Sequence, residues 1–401
     1  PPRARGQLVS FNQLNIVIGI SAAYFSNYLI LQLAESPEQW AQALGFAEFN
    51  WRWMLGLETI PAILYFFFLF FVPNSPRWLL MKKNWDEARH VMIHIMGEAE
   101  GIAEFEKIKE SMMEEEQKPK SSSADLFSPA MRLVLIIGLV VGILQQITGI
   151  NSVFFYAPMI FEQSGIGENA SFTQAIYVGL VNLIFTVLAM SLIDRLGRKP
   201  LLAGGLIGIT AFMFLLAYGF NSATYTLTED ALTTLPAEMN IAQVEPLVGQ
   251  TYESDLDYKA AISHALGDDV KKYESAMITA AISIDPMLIL IGILGFVASF
   301  AVSAGPVMWV LFSELFPQKI RGIAISVVGF VNSLVSFLVQ FVFPWELSNL
   351  GNATTFLIYG LFAAAGFVFV AWVVPETKGK SLEELETLLI QNDDSVSRIV
   401  R

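Results

Sequence analysis

Gln145-Gln146-Ile147-Thr148-Gly149-Ile150-Asn151-Ser152-Val153-Phe154-Phe155-Tyr156 lies inside an apolar run from about 133 to 161. A run of that length can cross a bilayer as a helix, which takes about 20 residues. Two adjacent glutamines and an asparagine are costly there, because an unpaired amide in hydrocarbon loses several kcal/mol of hydration. Polar groups inside a span therefore face a partner or a wet cavity. The plainer reading is that these amides only hold helices together. Other polar residues at the same depth, counted below, favour the cavity.

The rest of the chain has a membrane protein's composition. Of 401 residues, 54% are hydrophobic and 15% charged, whereas a soluble protein carries roughly 25% charge. Mean hydropathy is +0.54. The absence of cysteine excludes disulfides, thiolate metal sites and a cysteine nucleophile. His90 and His94 stand four apart, but no flanking acid motif accompanies them. A solvated helix face is the simpler reading, and no metal site is expected. A net charge of −13 gives no reason to expect a nucleic-acid partner. The chain opens Pro1-Pro2-Arg3-Ala4-Arg5-Gly6 without an initiator Met or signal peptide, so it is expected to be a piece of a longer protein.

Apolar spans run at about 11–34, 53–72, 131–161, 172–193, 200–220, 286–313, 322–345 and 353–374. All-helical spans are expected, since open strands cannot satisfy their backbone in lipid. Alternating the sides puts 1–10, 73–130, 194–199, 314–321 and 375–401 on one face, with almost every Lys and Arg. That face is expected to be cytoplasmic, with both chain ends inside, in the cell's plasma or inner membrane. The segment 73–130 reads as a cytoplasmic linker of short helices. Ser75 and Pro76 open one, Asn84 opens another, and a flexible link starts at Glu114-Glu115-Glu116. The segment 221–285 reads as a solvated extracytoplasmic cap. Asn169-Ala170-Ser171 and Asn352-Ala353-Thr354 are glycosylation-type triplets.

Punctuation repeats weakly. Arg5-Gly6 precedes the first span and Arg321-Gly322 the seventh. Pro73-Asn74-Ser75-Pro76-Arg77 follows the second, and Pro375-Glu376-Thr377-Lys378-Gly379 the eighth. Two homologous halves are implied, one complete at 131–374 and one represented by 1–72, with about four spans missing ahead of it.

Counting inward from the cytoplasmic charges at 1.5 Å per residue, Gln13 lies about 12 Å deep, Gln146 about 21 Å, and Asn182 about 18 Å. Asn332 lies about 16 Å deep and Trp309 about 15 Å. Amides or an indole from five spans thus share the midplane, which suits one central site. Each amide donates and accepts, and no Lys or Arg sits at that depth, so a neutral ligand rich in hydroxyls is expected. Trp309, Phe155 and Tyr156 supply flat apolar faces. On a straight helix Gln146 and Asn151 would lie about 140° apart, so a helix break at Gly149 is expected. Gly305-Pro306 offers a second hinge. Glu58, the acid deepest in a span, is expected to be buried, either relaying a proton or capping backbone freed by Pro61.

These motifs resemble the sugar porter family of the major facilitator superfamily, in family order. They are Arg5-Gly6, Pro73 to Arg77, Gln145-Gln146 with Gly149-Ile150-Asn151, and Asp194-Arg195 with Gly197-Arg198-Lys199. Glu314-Leu315-Phe316-Pro317 with Arg321-Gly322 and Pro375 to Gly379 complete the set. The pattern is most similar to bacterial xylose and glucose–proton symporters. The resemblance implies a major facilitator fold, all-α, with a complete C-terminal six-helix bundle and the last two helices of the N-terminal one. It implies monosaccharide transport by alternating access, with a co-transported proton in place of a cofactor, by a monomer; a facilitative uniporter and a non-transporting sugar sensor of the same fold are the alternatives. Gln13, Gln145, Gln146, Asn151, Asn182 and Asn332 match positions that hold sugar hydroxyls, and Phe155 and Tyr156 match the mobile outer gate. Arg5, Arg77, Asp194, Arg195, Arg198, Glu314 and Arg321 fall in the cytoplasmic charge network. Glu58 matches proton-coupled members. Asn74 replaces the usual Glu, Phe155 the first Tyr of a pair, and Ser333 a common Trp. Ala304 also stands where bacterial xylose carriers have Trp, so a less aromatic pocket is expected. No nucleophile–base pair, metal cluster or phosphate loop points to an enzyme.

Overall fold

A computed structural model describes residues 5–117, 126–164, 168–317 and 320–378. Among them are eight segments long and apolar enough to cross a membrane, coinciding with the eight expected spans. The chain divides into two compact units, Ile30–Ser122 and Pro1–Leu29 with Ser123–Arg401.

Helix α1 (Arg5–Ala34) leads into the first of these units, where α2 (Gln39–Ala43), α3 (Phe46–Gly56) and α4 (Thr59–Leu69) follow. Ile30, Ala41 and Phe46 form a small core. The span over α3 and α4 has none of its most apolar window buried. α5 (Pro76–Met81), α6 (Trp85–Met96) and α7 (Glu98–Gln117) pack around Leu79, Leu80, Val91, Met92 and Phe105. Pro76 takes the first position of α5, where its missing N–H costs no helical bond. α7 continues through Glu114-Glu115-Glu116, the start of the flexible link expected as far as Ser123; the remainder of that link, 118–123, lies outside the described residues. Glu, Met and Lys favour helix strongly enough to carry it on.

The second unit is the bundle of α8 (Arg132–Ile147), α9 (Ile150–Glu162), α10 (Glu168–Leu196), α11 (Arg198–Asn221), α15 (Pro286–Val302), α16 (Ala304–Leu315), α17 (Arg321–Asn349) and α18 (Gly351–Val373). Its core holds Ile137, Val141, Ile209, Met213, Phe296 and Val307. α11 crosses α15 closely, because a Cβ on Gly205 would lie 1.8 Å from Ser303 Oγ and one on Gly208 2.4 Å from Ser299 Oγ. Without a hydrophobic drive between helices in lipid, such small-residue contacts supply the packing.

Between α11 and α15 the expected solvated cap is a folded subdomain. It contains β1 (Thr224–Thr226), α12 (Ile241–Val244), β2 (Thr251–Tyr252), α13 (Asp255–Leu266), α14 (Val270–Ala281) and β3 (Ile282–Ser283). The strands form an antiparallel sheet in the order β2-β1-β3. Helices thus make every span, and this sheet is the addition to an all-α reading. The subdomain has its own core of Leu227, Val244, Ile262 and Met277, with Tyr225 stacked on Tyr258 at 5.5 Å. Burial pushes both phenols well above the usual tyrosine range. The Asp255 charge adds to this at Tyr225, and Tyr252 adds to it at Tyr258.

The chain then re-enters the bundle as α15 (Pro286–Val302), α16 (Ala304–Leu315), α17 (Arg321–Asn349) and α18 (Gly351–Val373). The break in the sixth span falls at Ser303 (φ −128°, ψ −94°), ahead of the expected Gly305-Pro306 hinge. Pro306 lacks an N–H for the Val302 carbonyl. Restarting the helix at Ala304 leaves Pro306 in a first turn, where no such bond is needed.

Candidate functional site

Helix α8 ends at Ile147, and α9 begins at Ile150 after Gly149, whose φ of +83° is left-handed. A side chain there would be strained, and its Cβ would lie 2.4 Å from Tyr359 Cδ2. The break turns Asn151 back toward Gln146, and the amides of α8, α9 and α17 interlock.

Asn332 donates from Nδ2 to Gln145 Oε1 (2.9 Å) and to the Gly142 carbonyl (2.8 Å). Gln146 donates from Nε2 to Asn332 Oδ1 (3.2 Å) and Gln145 Oε1 (3.2 Å). Gln145 Nε2 donates to the Ala304 carbonyl of α16 at 3.3 Å. Asn151 donates from Nδ2 to Gln146 Oε1 and to Ser336 Oγ, both at 2.9 Å. Gln340 Nε2 donates in turn to Ser336 Oγ at 2.9 Å. Gln145, Gln146 and Asn332 are buried, and Asn151, Ser336 and Gln340 half-buried. The result is a neutral strip of donors and acceptors, each bond of a kind a hydroxyl can exchange with.

Sequence reasoning missed Ser336 and Gln340. They follow Asn332 at steps of four, the spacing that stacks side chains on one helix face. Met308, not its neighbour Trp309, reaches the cluster, with Sδ 3.9 Å from Asn332 Nδ2. Trp309 is 37% exposed and meets Phe312 instead. Asn182 is buried on α10, and Gln13 half-buried on α1. No hydrogen bond among the described residues joins either to the cluster.

Phe155 and Tyr156 sit on α9 beyond the amides. Phe155 is 67% exposed, and Tyr156 rests on Phe343 of α17 at 5.2 Å. Phe343 stacks on Tyr359, whose hydroxyl donates to Glu346 Oε2 at 2.7 Å. Pro158 inside α9 leaves the Phe154 carbonyl without its usual N–H. The Tyr24 hydroxyl of α1 donates to that carbonyl.

At the other end of the bundle, Arg198 grips Glu314 with two bonds, Nη2 to Oε1 at 2.7 Å and Nε to Oε2 at 3.1 Å. Arg198 also pairs with the exposed Asp194 at 3.2 Å. Thr377 donates to Glu314 Oε2 at 2.6 Å. Glu376 accepts the backbone N–H groups of Arg198 (3.1 Å) and Lys199 (3.2 Å) at the start of α11, where a carboxylate suits the helix dipole. Gly197 (φ +100°) makes room, as a Cβ would lie 2.5 Å from Glu376 Oε2. Glu376 and Thr377 were not expected here. Arg321 Nε donates to the Phe316 carbonyl at 3.0 Å. The Arg195 side chain is exposed, and its carbonyl receives Lys378 Nζ at 2.5 Å. The side chains of Arg5 and Arg77 lie outside the described residues.

The expectation for Glu58 is corrected. Glu58 is exposed, not buried, at the kink between α3 and α4. None of the most apolar window of that span is buried, and the Glu58 carboxylate does not cap the backbone near Pro61. Asn352 of the second glycosylation-type triplet is buried, with Nδ2 on Asp255 Oδ2 at 3.2 Å. Its place in the first turn of α18 turns it inward. The Asn169 side chain lies outside the described residues.

The profile of the family described as "Sugar (and other) transporter" matches residues 1–235 and 273–389. An arabinose–proton symporter of Bacillus subtilis (strain 168) is 33% identical over 98% of this chain and 69% of its own length. A glucose transporter, GlcP, of Staphylococcus epidermidis is 31% identical over 96% of this chain and 70% of its own length. The inward-open structure of the xylose transporter XylE from E. coli superposes with a TM-score of 0.65. It shares 32% identity over 97% of this chain and 66% of its own. The chain therefore spans about two thirds of the length of these proteins.

Proposed function

Because this chain belongs to the sugar (and other) transporter family, within the major facilitator superfamily, we propose that it carries a neutral monosaccharide, a pentose or hexose, by alternating access. The family is one of transporters, not enzymes. The observation that carries the substrate class is the amide strip of Gln145, Gln146, Asn151 and Asn332. It offers paired donors and acceptors and no fixed charge, which suits hydroxyls and suits a carboxylate or cation poorly. Gln13, Asn182 and Trp309 are the residues that other conformations bring to the ligand. Phe155 and Tyr156 gate one side, and the Arg198–Glu314 pair latches the other.

In this reading the bundle 131–374 is one half of the carrier, and 73–130 the linker. The side with Arg198 and Glu314 is cytoplasmic, in the plasma or inner membrane, and the carrier works as a monomer. Symport with a proton is the reading of the coupling, with Glu58 as the candidate relay. Uniport is the second reading, favoured by the exposure of Glu58.

Uptake of labelled D-xylose, L-arabinose and D-glucose into vesicles, with and without an imposed proton gradient, tests both points. Saturable uptake of at least one sugar is expected, with accumulation against its gradient when the outside is acid. Uptake of none would end the monosaccharide reading, and uptake indifferent to the gradient would select uniport. Under symport, Glu58→Gln abolishes accumulation and leaves exchange.

A further inference from the structure

The inserted subdomain supplies caps to three helix ends that are not its own. A helix leaves its last four carbonyls and first four N–H groups without internal partners. At the end of α9, the Glu162 carbonyl accepts from Thr279 Oγ1 at 3.3 Å, and Glu162 Oε1 accepts from Ser275 Oγ at 2.5 Å. At the end of α17, the Leu347 carbonyl accepts from Lys259 Nζ at 3.2 Å. At the start of α18, the Asn352 N–H donates to Asp255 Oδ2 at 3.1 Å. A cation at a C-terminus and an anion at an N-terminus are also the signs the helix dipoles favour. Lys259 and Asp255 pair with each other at 3.4 Å, so one ion pair serves the whole α17–α18 turn.

α9 is one of the short helices that such support serves. It is 13 residues long, is cut off from α8 at Gly149 and contains Pro158. With so few internal bonds, its direction is set by what holds it from outside. Asn151 ties one end to Ser336, and Tyr24 ties its middle. Ile160 and Phe161 at the far end are buried in the bundle core, and the hydrogen bonds of that end to other elements, among the described residues, go to the subdomain. The part of the subdomain at 236–272, which holds Asp255 and Lys259, is also the stretch the family profile leaves unmatched.

We propose that the subdomain is a positioning element for α9. Ser275 and Thr279 hold the end of the helix that carries Asn151, Phe155 and Tyr156, and Asp255 and Lys259 moor the subdomain to the α17–α18 turn. Calling α9 a gate rests on the transport reading, but the anchoring can be read out without sugar.

The protein has no cysteine, so Phe155→Cys is a clean reporter on the exposed face of α9. The purified protein carrying it is treated with a fluorescent maleimide, alone and together with Ser275→Ala/Thr279→Val or Ser275→Thr/Thr279→Ser. Losing two hydrogen bonds, one of them to the Glu162 carboxylate, should speed labelling about tenfold in the first pair, while the second, which keeps both hydroxyls, should label at the reporter's own rate. In uptake, the first pair should raise KM for D-glucose more than it lowers kcat, because Asn151 moves with α9. Unchanged labelling in the first pair, or equal acceleration in the second, would overturn the proposal. D-glucose that alters labelling in none of the proteins would count against the monosaccharide reading and leave the anchor to be decided by the labelling rates.

Discussion

Asn151 donates its side-chain N–H to Gln146 Oε1 at 2.9 Å, five residues back and across Gly149. A continuous helix would hold these two side chains about 140° apart. The left-handed backbone of Gly149 (φ +83°) brings them together, and the Tyr359 ring covers the space where a Cβ would go. Gly149→Ala should therefore destabilise the bundle by about 2–4 kcal/mol, from the left-handed strain and the overpacking against Tyr359. A thermal melt of the purified variant checks this. A melt at the native temperature would mean the break does not depend on glycine.

Gln146→Ala removes two donated bonds and one accepted bond at the centre of the strip. The cost to sugar binding should be about 1–3 kcal/mol, or 5- to 150-fold in Kd. Gln340→Ala, at the strip's edge, should cost less than about tenfold. Calorimetric titration with D-xylose and D-glucose compares the two. Equal effects would show that the strip has no centre.

Tyr24→Phe leaves the Phe154 carbonyl unpaired, at a cost of about 1–3 kcal/mol. The absent N–H is that of Pro158. Pro158→Ala restores it, so the double variant Tyr24→Phe/Pro158→Ala should regain most of the lost stability. Unfolding midpoints of the four proteins in this cycle decide the point. Additive losses would mean the two residues act separately.

Glu314→Ala takes the two-bond partner from Arg198, which is 8% exposed, and leaves it, among the described residues, only the exposed Asp194 as an ion-pair partner. Breaking one side of a buried pair costs about 3–5 kcal/mol. Replacing both, as Glu314→Leu/Arg198→Met, should cost clearly less, because no charge is left uncompensated. Unfolding in denaturant separates the cases, and a milder loss in Glu314→Ala than in the double variant would refute this account.

Tyr225 and Tyr258 hold their phenol protons more tightly folded than unfolded. The unfolded chain releases them near pH 10, so the subdomain's stability is fully present below that pH and falls as pH rises above it. Alkaline difference absorbance should show two phenols that ionise only as the subdomain unfolds. Smooth titration of every tyrosine near pH 10 would contradict their burial.

Position along a helix axis was legible in the sequence, and rotation about it was not. Apolar run length located all eight spans, and the Gln146–Asn151 angle located the break at Gly149. Depth alone grouped Trp309 with the amides. One residue of rotation, about 100°, gives that place to Met308. Asn182 and Gln13 share the depth but not the hydrogen bonds, because their direction depends on how α10 and α1 pack. Ser336 and Gln340 could have been found by stepping four residues at a time from Asn332. The subdomain's sheet could not, since strands of two or three residues are too short to show an alternating pattern. Its core aromatic residues were present, but read as part of a polar segment.

The pairing of Thr224 with Ser283 brings the first and last strands of the subdomain side by side. Chain enters and leaves it at one point, as through the neck of a purse. The whole block could therefore be exchanged at that neck for another small fold without stretching α11 or α15, with the loss of the caps it gives α9, α17 and α18. Fiducial proteins for electron microscopy need such a rigid, two-point graft, and this chain carries the seat for one.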